Sequence, residues 1–234
     1  MGYYRAGFDV VGVDIKFQKN YPFEFIQADA MTYPLEGFDA IHASPPCQAY
    51  SITRSLRKRD HPELIDATRE RLIATGVPYV IENVVGAPLR NPLLLCGSMF
   101  KELRVYRHRL FESEPAFYWP PRSCNHSFSM PASKGQYHTL TKQLFITAVG
   151  HNFQAASGRI ALQIDWMTRD EMAQSIPPAY TEYIGKQLMA VLGVSGATTV
   201  CHHDAGCSCT EYRERDIAQE RDDAAMSRWE DERR

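Results

Sequence analysis

Two short apolar runs, each ending in residues able to do chemistry, constrain this chain more than any other feature. The first covers residues 38–43 and runs into Ser44-Pro45-Pro46-Cys47-Gln48. The second, Pro78-Tyr79-Val80-Ile81-Glu82-Asn83-Val84, ends in a carboxylate and an amide. Both have the length and punctuation of buried strands. One helix-length segment separates them, which predicts strand–helix–strand with the two strands parallel. Open α/β sheets place their reactive groups on loops beyond the carboxyl ends of such strands. Two successive prolines fix φ and remove two backbone donors, so the turn presenting Cys47 is stiff. Taken alone, Cys47 reads as a small buried hydrophobe, the usual fate of a free cysteine. A thiol and a carboxylate delivered to one cleft by neighbouring strands is instead the pairing that covalent catalysis needs.

Pro45-Pro46-Cys47-Gln48 followed by Glu82-Asn83-Val84 resembles the two catalytic motifs of the C5-cytosine-specific DNA methyltransferases, of phage or bacterial type. The resemblance extends over about residues 2–192. It implies an α/β fold with a doubly wound, Rossmann-like methyltransferase sheet. It also implies methyl transfer from S-adenosylmethionine to C5 of a cytosine flipped out of double-stranded DNA. In that chemistry Cys47 adds to C6, Glu82 protonates or hydrogen-bonds N3, and Asn83 orients Glu82 or its loop. Arg107 and Arg109 stand where the family has arginines that reach the cytosine, although Val105 occupies the place of that motif's glutamine. The same resemblance assigns Asp14, Ile15, Asp29 and Pro45 to the cofactor. No metal is required.

The remaining segments are organised around this pair. Residues 2–7 read as a helix end closing on Gly7, followed by strands that end near Asp14 and Asp29. The family's first strand and glycine-rich turn do not precede them. The expectation is therefore a sheet lacking its first, central strand, from either an upstream start, which is favoured, or a catalytically impaired DNA-binding remnant. After Cys47, four bases fall within six residues (Arg54, Arg57, Lys58 and Arg59), with serine and threonine close by, a composition suited to phosphate contacts. Pro62 is expected to open a helix whose inner face carries Leu64, Ile65, Thr68, Leu72 and Ile73, with Gly76 ending it. Residues 103–112 read as a strand with Arg107 and Arg109 on one face.

The division expected is a catalytic and cofactor-binding core over 1–112 and a small irregular target-recognition insertion over 113–165. C-terminal helices over 166–193 return to the core, and 194–234 form a charged tail. Thr168-Arg169-Asp170-Glu171 is a capping box, and Pro177-Pro178 opens a helix with Tyr180, Tyr183, Ile184, Leu188, Val191 and Leu192 as its stripe. Two groups of soft ligands occur: Cys124-Asn125-His126 with His138 and His151, and Cys201, His202, His203, Cys207 and Cys209. Neither has a standard zinc spacing, so no metal is assigned. Cys96 reads as structural.

Composition narrows the setting. The net charge is −2; residues 211–234 hold nine acids and six bases, which leaves +1 on the rest, so DNA binding would depend on a local basic patch. Six cysteines do not make a disulfide framework in 234 residues, and a reducing cytoplasm, in a bacterial or phage-infected cell, is expected. No run approaches the length of a membrane span. A monomer is expected. The same chemistry on tRNA, which a branch of the family performs, is the open alternative.

Overall fold

The computed structural model describes residues 1–50, 62–117, 120–127, 145–148 and 153–193. The described residues form a mixed α/β chain that divides into two compact units. No helix among them is long and apolar enough to cross a membrane.

One unit contains Met1–Ala40, Leu95–Arg107 and the described part of 119–200. Helix α1 (Gly2–Ala6) ends on Gly7, whose φ of 106° is the left-handed conformation a glycine cap supplies. Strands β1 (Val11–Asp14) and β2 (Glu24–Gln27) pair in parallel, Val11 opposite Glu24 and Asp14 opposite Gln27. Their residues are half-buried or exposed, whereas parallel strands are normally covered on both faces. Among the described residues this two-stranded sheet has no third strand.

Three further helices complete the unit: α3 (Ala155–Leu162), α4 (Arg169–Gln174) and α5 (Pro178–Val191). The capping box forms as expected: Glu171 N–H donates to Thr168 Oγ1, and Thr168 N–H donates to Glu171 Oε2 at 2.7 Å. Asn20 Nδ2 also donates to the Glu171 carboxylate, tying the β1–β2 connection to α4. Helix α5 lies against α1 so closely that a Cβ at Gly2 would stand 2.2 Å from the Pro178 carbonyl oxygen. Tyr180, Ile184 and Leu188 are buried as the stripe predicts, but Val191 is 44% exposed. Helix α3 lies within the segment expected to be irregular.

The second unit contains the described residues of Ile41–Leu94 and of 108–118. Its strands are β3 (Ile41–Ala43) and β4 (Tyr79–Asn83), which pair in parallel, and β6 (Arg109–Glu114), which pairs antiparallel with β4. The short β5 (Leu93–Leu95) completes a four-stranded sheet in the order β3-β4-β6-β5. The predicted strand–helix–strand unit is present, with α2 (Ile65–Thr75) as its crossover. Helix α2 begins three residues after Pro62 and ends on Gly76 at φ 72°. Ile65, Thr68 and Leu72 are buried, but Ile73, expected on the inner face, is 53% exposed. Every residue of β4 is buried, while every residue of β3 is half-buried. β3 thus has one hydrogen-bonded neighbour among the described strands.

Candidate active site

The Cys47 turn and the end of β4 belong to one unit, and a side chain ties them together. Asn83 is 1% exposed, and its Nδ2 donates to the Pro45 carbonyl at 2.9 Å. Its Oδ1 accepts the Val84 N–H at 2.9 Å. Asn83 therefore uses both ends of its amide, holding the Pro45-Pro46-Cys47 turn with one and the chain leaving β4 with the other. A proline-stiffened turn pinned at a buried amide holds its thiol in place at little ordering cost. Cys47 is half-buried and carries a free thiol. Its carbonyl accepts the Tyr50 N–H at 3.0 Å, which closes a tight turn immediately after it.

Glu82 precedes Asn83 on β4 and is 7% exposed. A buried carboxylate needs a partner, and Arg109, the first residue of β6, supplies it: its Nε lies 3.0 Å from Glu82 Oε1. The antiparallel register, Glu82 opposite Phe111, sets Arg109 two residues along from that partner position. Arg109 also donates to the His108 carbonyl at 2.7 Å, which fixes the guanidinium beside the acid. Next to the thiol, Gln48 Oε1 is buried with no hydrogen-bond partner among the described residues. An acceptor in that state is where a donor from a ligand gains most.

Arg107 behaves differently from the expectation that it shares a strand face with Arg109. β6 begins at Arg109, so Arg107 lies ahead of the strand. Its guanidinium is 3% exposed and donates to the carbonyls of Ala148, at 2.5 Å, and Ala173, at 2.7 Å. Tyr180 Oη donates to its carbonyl at 2.6 Å. Arg107 is a fastener of the first unit's loops and helices.

The residues assigned to a cofactor by resemblance lie along β1 and β2. Asp14 ends β1; its carboxylate accepts the Lys16 N–H at 2.8 Å and Gln18 Nε2 at 3.0 Å, which orients it. Ile15 follows it and is 65% exposed, an unusual position for a large aliphatic side chain. Asp29 lies two residues beyond β2, is exposed, and accepts the Met31 N–H at 2.8 Å. Asp14 and Asp29 are thus carboxylates oriented by local hydrogen bonds, at and just beyond the ends of the paired strands β1 and β2. Arg54, Arg57, Lys58 and Arg59 lie outside the described residues, as do His138, His151 and the group at Cys201, His202, His203, Cys207 and Cys209.

Sequence reasoning missed the role of His42. Its Nε2 is 3.1 Å from Oγ of Ser44, the residue immediately before the prolines, and its ring lies 6.5 Å from that of Phe111. Burial pushes this imidazole from 6.5 down to about 4. The folded state thus binds fewer protons at this site than the unfolded chain does between those values. The stability this contributes is fully present above pH 6.5 and is lost as the pH falls from there towards 4. Urea midpoints measured from pH 7 to pH 4 should fall less steeply for His42→Phe than for the unaltered protein. Parallel profiles would refute this assignment. An alternation argument over residues 38–43 could have found it, since His42 is the one polar residue inside that strand.

No family model matches the chain, and no curated protein matches it.

Proposed function

We propose that the protein is a methyltransferase acting on C5 of cytosine in DNA, with Cys47 as the covalent nucleophile and S-adenosylmethionine as methyl donor. The observation that carries this is the bond from Asn83 to the Pro45 carbonyl, which joins the thiol-bearing turn to the strand carrying Glu82. Cytosine is a poor carbon nucleophile at C5. Addition of the Cys47 thiolate to C6 moves electron density to C5, which can then attack an electrophilic methyl carbon. Glu82 holds a proton or hydrogen bond at N3, so that the ring accepts the electron pair. Arg109 holds Glu82 in position and offers its remaining N–H groups to the C2 carbonyl oxygen. Loss of the C5 proton to a water molecule and expulsion of the Cys47 thiolate release the methylated base. A stacked cytosine hides C6, so the base must leave the duplex, at a cost of a few kcal/mol.

Asp14 and Asp29 suit the ribose hydroxyls and adenine of the donor, the exposed face of Ile15 suits the adenine ring, and Pro45 is assigned to the donor by the resemblance alone. The donor supplies a sulfonium-activated methyl group. A doubly wound, Rossmann-like methyltransferase sheet is the finer fold reading. It is supported by the parallel pairing of β1 with β2 and, through the crossover helix α2, of β3 with β4. The packing of α5 on α1, in the unit that holds β1, supports a C-terminal helix returning to the cofactor strand.

Labelled methyl transfer tests the reading. The protein, and a version extended by its upstream reading frame, are each incubated with labelled S-adenosylmethionine and either duplex DNA or tRNA. Label at C5 of cytosine in the duplex is expected. Label in tRNA alone would move the same chemistry to RNA. DNA binding with neither label nor calorimetric S-adenosylmethionine binding, in either version, would leave a non-catalytic DNA-binding protein.

A further inference from the structure

Away from the Cys47 turn, two other thiols converge. Cys96 follows β5, is fully buried, and enters a single 3-10 turn at Gly97–Met99. Cys124 and His126 come from the loop at 120–127. His126 Nε2 lies 3.0 Å from Cys124 Sγ and 3.4 Å from Cys96 Sγ. The ligand atoms of these three residues all lie within 4.8 Å of one another.

We infer that Cys96, Cys124 and His126 are three ligands of a structural zinc site. Zn–S bonds of about 2.3 Å and Zn–N bonds of about 2.0–2.1 Å in a tetrahedron put donor atoms roughly 3.5–3.8 Å apart. The distances here, 3.0 and 3.4 Å from His126 Nε2 to the two sulfurs, lie within about half an ångström of that scale. Two thiolates balance the charge of Zn²⁺ and the neutral imidazole of His126 adds none, so the loaded centre is neutral and can be buried cheaply. Loading releases the two thiol protons.

The surroundings are those of a built site. Ser98 Oγ lies 3.3 Å from each sulfur and accepts the Asn125 N–H at 3.0 Å, the kind of outer hydrogen bond that orients metal ligands. Between Cys96 and Ser98, a Cβ at Gly97 would stand 2.0 Å from the Val105 carbonyl oxygen, so glycine is required for the turn to seat there. Arg122 Nε donates to the Met99 carbonyl at 2.6 Å, which staples the Cys124 loop to that turn. The Tyr106 ring lies 4.4 Å from the His126 ring and stacks on Phe145, walling the imidazole on one side. The sequence concealed the site because its cysteines are twenty-eight positions apart with a histidine between them, unlike the paired spacing of known zinc modules. A metal here would hold the start of the 113–165 segment to the turn after β5, independently of methyl transfer.

The test uses the full chain with Cys201, Cys207 and Cys209 changed to serine, so that the tail cannot supply thiolates. After loading with zinc sulfate and exhaustive dialysis, elemental analysis should find about one zinc per chain. Cobalt loading should give the intense visible absorption of a tetrahedral thiolate site. Cys124→Ser and His126→Asn, both at half-buried positions, should each abolish retention while the far-ultraviolet circular dichroism stays folded. Absence of stoichiometric zinc in the tail variant would overturn the site, as would zinc retained by both substituted proteins. A Cys96–Cys124 disulfide found by mass spectrometry under reducing purification would overturn it too.

Discussion

Cys47→Ser is expected to abolish labelled methyl transfer to DNA while leaving binding of the duplex and of S-adenosylmethionine unchanged. Serine keeps the shape of the turn, because the Pro45 carbonyl still accepts Asn83 Nδ2 and the carbonyl of residue 47 still accepts the Tyr50 N–H. What it removes is the thiolate. An alcohol is almost wholly protonated at neutral pH, so the proposed addition at C6 would no longer occur. The fall in rate should be on the order of 10⁶, the scale seen when a nucleophile that works as part of a unit is removed. Glu82→Gln retains a hydrogen bond but not the proton, and should cost about 10²–10⁴ in rate, the range for general acid catalysis. Single-turnover rates on duplex DNA check both. Methyl transfer by Cys47→Ser within tenfold of the unaltered protein would eliminate the covalent reading.

Arg69→Ala is expected to produce the largest loss of stability. Arg69, on α2, is 2% exposed, and Glu112, on β6, is 3% exposed. Their contact is bidentate, with Nε to Oε1 at 2.6 Å and a terminal nitrogen to Oε2 at 2.8 Å. The same guanidinium donates to the Pro88 carbonyl at 3.0 Å and to the Asp66 carboxylate, while Glu112 Oε2 also accepts the Arg90 N–H at 2.6 Å. One ion pair therefore clamps the crossover helix, β6 and the loop over 86–92. Truncation leaves Glu112 charged, buried and without its guanidinium, which costs about 3–5 kcal/mol. In a chain of this size that is a fall of roughly 6–20 °C in Tm. Arg69→Met with Glu112→Leu should recover only part, because the Pro88 carbonyl and the Arg90 N–H still lose their partners. Thermal unfolding of the three proteins checks this; a loss below about 1 kcal/mol for Arg69→Ala would sink it.

Much of the architecture was legible in the chain itself. Apolar runs bounded by glycine, proline or acids marked β1 to β4, Gly7 and Gly76 marked helix ends, and Thr168 with Glu171 marked the start of α4. These are local signals: a left-handed cap or a capping box is decided within four residues, so sequence carries it whole. The expectation that Cys47 and Glu82 follow parallel neighbouring strands also held, since a single helix-length crossover leaves few other arrangements.

Other features depended on partners distant in the chain. Helix α3 contains Gly158, a poor helix residue, because a Cβ there would stand 2.3 Å from the Phe153 ring; packing, not propensity, sustains it. The exposure of Ile73 and Val191 depends on what covers each helix face, which periodicity does not specify. Arg107 and Arg109 have the same side chain and a spacing that suits one strand face. Only the fold sends the first to the carbonyls of Ala148 and Ala173 and the second to Glu82. The thiols of Cys96 and Cys124 meet for the same reason. Local chemistry is written in consecutive residues, whereas a binding partner is selected by which distant segments the packed chain brings within a few ångströms.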